Sequence, residues 1–207
     1  MNFDIDYYIT FAKRELTPER FEHSFGVMEV MDELSSIYAL DRATALTCGI
    51  LHDAAKELVI EDQLELVEKG NIPLMTECDR HAMFLHGPAG ACYIAQELGI
   101  EDPLILDTIS RHSYFGTGVA LSPVFCWCLR FADILEPKRD WKDLQRQLGA
   151  LVYSGRMKEG AYLLTKWMIP FLGTKSIPVH PNLHRILKEL SALMDEENVC
   201  EADSLPV

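Results

Sequence analysis

Apolar residues recur along this chain at three- and four-residue spacings, the mark of helices that bury one face, and runs of strict alternation are scarce. One stripe, His23, Val27, Val30 and Leu34, lies in a stretch opened by Thr17-Pro18, an N-cap followed by a first-turn proline, and reaching about Tyr38. Asp41 caps a second helix carrying Ala45, Cys48, Leu51 and His52. His86-Gly87-Pro88 is expected to open another helix, with Pro88 in its first turn and the backbone N–H groups after His86 free to receive phosphate. Asp102-Pro103 starts a helix with the stripe Ile105, Ile109, His112, and Ser122-Pro123 starts one that ends at Glu136-Pro137. Helices over about 141–153 and 156–172 are followed by an extended piece at 175–181 and a last helix from about 182 to 194. The pattern predicts an all-α fold: one domain over 1–194, with a core of about 17–140 and a C-terminal helical extension of about 141–194. The acidic, apolar-poor stretch 195–207 is expected to be a frayed, disordered tail.

Composition changes this picture little. With 48% of residues apolar and 25% charged, the chain can build a core without disulfides or structural metal. The six cysteines include no C-x-x-C pair, which points to reduced, buried thiols. No apolar run approaches the ~20 residues that span a bilayer. The first residues, MNFDIDYY, are acidic where a signal peptide is basic, so the expected place is the cytoplasm, with no membrane partner.

Charge is more informative. A net charge of −13 argues against nucleic acid as a partner, because no basic stripe is present to displace counterions. A small anionic substrate could bind only where metal, lysine and arginine reverse the field locally.

Candidate chemistry stands out as polar residues on apolar faces. His52-Asp53 ends the run Cys48-Gly-Ile-Leu51, and imidazole nitrogen with carboxylate oxygen suits a borderline metal ion. Neighbouring helical residues point about 100° apart, so this pair can grip one ion only near a helix end or bend. His23 heads a buried stripe, and Asp133 shares a face with Cys126 and Leu129 on an otherwise apolar helix. A buried carboxylate must be neutralised, paired or coordinated. His180 and His184 are four apart, but Pro181 breaks the helical geometry a metal pair would need.

The order His23, His52-Asp53-x-x-Lys56, His86-x-Pro88-x-Gly90-Ala91, His112 and Ala132-Asp133-x-x-Glu136-Pro137-x-Arg139 resembles the HD superfamily of metal-dependent phosphohydrolases. More narrowly, it resembles the YqeK family of symmetrical diadenosine-tetraphosphate hydrolases. The H…HD…D skeleton specifies only the superfamily; the H-x-P-x-G-A and A-D-x-x-E-P-x-R pieces are narrower. The likeness runs from about Arg20 to Arg139, and more weakly to Pro181.

The resemblance implies an HD-type helical bundle in which His23, His52, Asp53 and Asp133 hold iron, as one ion or two, with manganese or another divalent transition metal left open. His86 and His112 would face the substrate phosphates or a second metal. Arg20, Lys56 and Arg139 would neutralise phosphate oxygens, and Ser113 would supply a hydroxyl where the family usually has threonine. Ile177, Pro178, Val179 and His180 would close over the nucleotide. Lys56 and Asp53 are the implied catalytic pair. The implied reaction is attack of a metal-bound hydroxide, whose parent water is acidified toward ~7, on an inner phosphorus, giving two ADP. Two departures bear on substrate choice: the spacing is stretched to His112-Ser-Tyr-Phe-Gly116, and the family's Thr and Asn after Pro181 have no clear counterpart. An HD phosphohydrolase of different nucleotide specificity and a non-catalytic sensor of metal and nucleotide stay open as alternatives. The implied partner is a dinucleoside polyphosphate or ADP, with a homodimer also open.

Overall fold

The computed structural model describes residues 4–113 and 124–202, with side chains to 195. Among these residues the secondary structure is helical throughout, with no strand. In chain order the helices are α1 (Ile5–Glu15), α2 (Pro18–Ile37), α3 (Arg42–Leu51), α4 (Ile60–Lys69), α5 (Ala82–Leu98), α6 (Pro103–Arg111), α7 (Val124–Leu135), α8 (Lys142–Val152), α9 (Met157–Thr174) and α10 (Pro181–Ala202). A short 3-10 turn, Glu77–Arg80, precedes α5. No helix is long and apolar enough to cross a membrane among the described residues.

The expected caps are where the sequence puts them. Asp41 accepts from the Thr44 N–H at 2.8 Å, and Asp102 from the Leu104 N–H at 2.8 Å with Pro103 at the first helical position. Thr17 opens α2 with Pro18 behind it. The stripe Val27, Val30, Met31 and Leu34 makes α2 the central helix, buried against Ala45 and Cys48 of α3 and against Leu129 and Ala132 of α7. Two glycines set the closest helix approaches. A Cβ on Gly49 would lie 2.6 Å from the Met28 Cα, so glycine lets α3 touch α2. A Cβ on Gly87 would lie 2.8 Å from the Ser110 carbonyl, so glycine does the same for α5 on α6.

Several elements differ from expectation. Helix α5 begins at Ala82, with the His81 Nδ1 accepting from the Met83 N–H, so His86 and Pro88 lie inside it. There is accordingly no helix N-terminus at His86 to receive phosphate. Ala82, Met83, Phe84 and Leu85 are adequate helix formers, and burial of Phe84 and Leu85 ties this first turn to the core. An interior proline leaves the carbonyl four residues earlier without its N–H. Here that carbonyl, of Phe84, accepts from the Ser113 hydroxyl at 3.2 Å. Helix α10 continues to Ala202 past the expected end near Met194, through good helix formers such as Glu196, Glu197 and Ala202. Helices α1 and α4 occupy stretches to which the periodicity assigned nothing. The expected start at Ser122-Pro123 and the stretched spacing Tyr114-Phe115-Gly116 lie outside the described residues.

Candidate metal centre

Six side chains from five helices converge at one end of α2. His23 comes from α2, His52 and Asp53 from the turn that ends α3, His86 from α5, His112 from the C-cap of α6, and Asp133 from α7. The chain leaves α3 by three-residue turns, Ala54 N–H to the Leu51 carbonyl and Lys56 N–H to the Asp53 carbonyl. This bend brings His52 and Asp53 to bear on one point.

Asp53 stands at the middle. Its Oδ2 lies 3.5 Å from the His52 Nε2 and 3.8 Å from the His23 Nε2, while its Oδ1 lies 3.3 Å from the His86 Nε2 and 3.8 Å from the His112 Nε2. Asp133 Oδ1 lies 3.1 Å from the His23 Nε2. Two groups of three ligand atoms result, His23–His52–Asp53 and Asp53–His86–His112, each lying within 4.8 Å of one another and sharing Asp53. Two imidazoles and a carboxylate suit a divalent transition ion.

The hydrogen bonds decide which nitrogen of each ring faces the centre. His52 Nδ1 meets the Gly49 carbonyl at 2.8 Å, His112 Nδ1 the Ile109 carbonyl at 2.7 Å, and His86 Nδ1 the Ala82 carbonyl at 3.1 Å. A carbonyl only accepts, so each Nδ1 carries the proton and each Nε2 presents a lone pair inward. His23 is held by Glu136, Nδ1 to Oε1 at 3.0 Å. The residues fit a metal on two counts. The buried His52 Nε2 has no hydrogen-bond partner. The Nε2 atoms of His86 and His112 face each other at 3.0 Å, lone pair to lone pair. An orphaned acceptor such as the His52 Nε2 costs about 1–3 kcal/mol unless a cation sits beside it.

Electrostatics hold five of these six groups in ligand form. Burial pushes the Asp53 carboxyl upward, but the surrounding imidazoles, His52 first, and the Lys56 ammonium outweigh it, holding the group well below the usual carboxylate range. Asp133 is likewise well below that range, the Arg139 charge and the His23 hydrogen bond overcoming burial. Burial lowers His52, His86 and, furthest, His112, so their rings stay neutral. His23 moves upward: burial opposes its charge, but the hydrogen bond and charge of Asp133 prevail.

The cluster opens onto a cavity of about 510 Å³. Arg20, Lys56 and Arg139 line its polar side. Arg20 donates to Asp53 Oδ2 at 2.9 Å, Arg139 pairs with Asp133, and the half-buried Lys56 Nζ lies 3.1 Å from both ring nitrogens of His86. Burial lowers the Lys56 ammonium against the raising charges of Asp53 and Asp133. The residues expected to close over the nucleotide divide. Ile177 lines this cavity, whereas Pro178 is exposed and Val179 packs against the core, its carbonyl meeting the Cys78 thiol. His180 points away, its Nε2 2.7 Å from Asp79 Oδ1 and its Nδ1 accepting from the Asn182 N–H. It lines a separate, larger groove of about 1140 Å³ that contains none of the converging ligands. Ser113 lies at the cavity wall with its hydroxyl committed to Phe84.

Two residues carry weight that their sequence context did not reveal. Glu136 sits in A-D-x-x-E-P-x-R, yet only the fold shows it orienting His23 from 113 positions away. Arg130 is buried and donates to the carbonyls of His112 and Ser113; burial pulls its guanidinium down to about 9. It sits on an apolar helix where spacing alone suggests nothing.

Known proteins bear on this geometry. The HD domain family matches residues 20–138. A symmetrical bis(5'-nucleosyl)-tetraphosphatase of Bacillus subtilis is 31% identical over 128 residues, 62% of this chain and 67% of the relative. A protein of the same name from Halalkalibacterium halodurans is 30% identical over 137 residues, 65% of this chain and 70% of the relative. Among solved structures, one described as a predicted HD superfamily hydrolase involved in NAD metabolism, from Clostridium acetobutylicum, superposes with a TM-score of 0.80 at 26% identity. It covers 90% of this chain and 96% of that one.

Proposed function

Because this chain belongs to the HD domain family, we propose that it is a metal-dependent hydrolase that splits diadenosine tetraphosphate symmetrically into two ADP. The observation that carries this reading is the cavity in which the Asp53-centred cluster lies beside Arg20, Lys56 and Arg139. Its chemistry suits a crowded polyphosphate, and two relatives of this chain bear the name of that activity. In this reading the helices after residue 140 extend the same domain and close the cavity.

We take the resident metal to be iron, in one or two ions, with manganese as the substitute to test. His23, His52, Asp53 and Asp133 would hold the first ion, and Asp53, His86 and His112 a second. Bound there, the metal supplies Lewis acidity and a water acidified toward neutral pH. The protein's own groups do the rest. Glu136 fixes the His23 ring, and the Gly49, Ile109 and Ala82 carbonyls fix the other three, so the imidazole ligands are pre-oriented. Arg20 and Arg139, tethered to Asp53 and Asp133, hold non-bridging phosphate oxygens. Lys56 places its ammonium where negative charge develops on the leaving ADP oxygen, which makes it a catalytic residue by stabilising that charge. The Ser113 hydroxyl and His180 serve structure in this scheme.

Product analysis tests the reading. Metal-loaded protein is expected to turn diadenosine tetraphosphate into ADP alone; ATP with AMP, or no turnover, would overturn it.

A further inference from the structure

Half of the centre stands on helix α5 and on the last residue of α6. The Nε2 atoms of His86 and His112 are 3.0 Å apart and lie 3.3 and 3.8 Å from Asp53 Oδ1, so the second ligand group depends on how α5 meets that end. His112 is the C-cap of α6, and helix ends fray because their last carbonyls lack partners within the helix. Arg130, buried on α7 at the wall of the cavity, reaches across to it. Its Nη1 donates to the His112 carbonyl, and its Nη2 to the Ser113 carbonyl at 3.5 Å. A guanidinium is a rigid fork, so two bonds fix the direction of the backbone as well as its place. It also sets positive charge where a helix ends in carbonyls.

The brace continues into α5. Ser113 Oγ donates at 3.2 Å to the carbonyl of Phe84, two residues before His86. Beside it, Gly87 lets the two backbones touch. A Cβ there would stand 2.8 Å from the Ser110 carbonyl oxygen and 3.1 Å from that of Ile109, which receives the His112 ring. One connected set of bonds therefore runs from α7 through the end of α6 to α5, ending beside both imidazoles. The first ligand group answers to other braces, His23 to Glu136 and His52 to the Gly49 carbonyl.

We propose that Arg130 is a positioning residue that sets the affinity of the Asp53–His86–His112 group for a metal ion, acting through the His112 backbone and the Ser113 hydroxyl. The inference rests on the metal-bearing reading of the centre and not on which nucleotide is cleaved.

The test titrates cobalt(II)-loaded protein with a chelator and follows release by the visible absorption of the ion. Wild type is compared with Arg130→Met, Arg130→Lys and Ser113→Ala. Wild type should release two equivalents in two steps, the three-ligand group before the four-ligand one. In Arg130→Met the earlier step should weaken about 10- to 100-fold, with the later one staying within about threefold. Arg130→Lys keeps the charge and loses the fork, so it should resemble the methionine variant. Ser113→Ala keeps the guanidinium; it should weaken the same step about 3- to 10-fold, and it carries the test if both Arg130 variants fail to fold. Glu136→Gln should do the converse and weaken the four-ligand group alone. Release of a single equivalent by wild type, equal weakening of both steps, full rescue by Arg130→Lys, or an earlier step that does not move in the variants that fold would overturn the proposal. The expected release pattern in a protein that leaves diadenosine tetraphosphate intact would sink the hydrolase reading and leave the brace standing.

Discussion

The two walls of the cavity are built by opposite physics. The metal side, from α2, the end of α3, α5, α6 and α7, consists of charged and polar groups, each pinned by a second partner: His23 by Glu136, His52 by Gly49, His112 by Ile109, Asp133 by Arg139. The far side, from Trp141 to Ile177, consists mainly of apolar groups held by ring contacts and burial, with Lys175 over the Phe171 ring. On the first wall every group is specified by its neighbours, so removing one orphans another. On the second, contacts are many and weak, so removing one subtracts a share.

Substitutions can break this contrast, beginning with its sharpest member. Asp53→Asn removes the carboxylate shared by both ligand groups and leaves Arg20 and Lys56 without their partner. Turnover should fall about 10³-fold or more, and elemental analysis should find bound metal largely lost. Lys56→Met keeps the aliphatic stem and removes the charge. Turnover should fall about 10²-fold with metal content and thermal stability little changed, and the loss should appear in kcat as well as in KM. Glu136→Gln weakens the brace on His23; metal affinity, titrated against a chelator, should drop about 10- to 100-fold. His180→Ala should leave metal content and turnover at wild-type levels. Its signature is a lower Tm, reflecting about 1–3 kcal/mol for the Asp79 Oδ1 that loses the His180 ring.

The same contrast explains what could be read from the chain. His23, His112 and Asp133 were legible because a polar residue on an apolar stripe is conspicuous. His52-Asp53 was legible because two donors side by side demand a bend, and the end of α3 supplies one. Pro88 misleads, since its place within α5 frees the Phe84 carbonyl, which a hydroxyl from Ser113, 29 residues after Phe84, satisfies. His180 fits an extended strap over the nucleotide equally well on local grounds; Asp79, 101 residues distant, turns it elsewhere. Trp141, Met168 and Phe171 were invisible as site residues because an aromatic or methionine at helical spacing is what any core contains. Only the position of α9 relative to the cluster separates lining from filling.

A crystal structure of the metal-loaded protein with ADP, using anomalous scattering to locate the metal, tests the two-walled cavity most directly. The expected result is metal among His23, His52, Asp53 and Asp133, with the ADP phosphates beside Arg20, Lys56 and Arg139. Metal bound away from Asp53, or ADP seated in the larger groove beside His180, would contradict it.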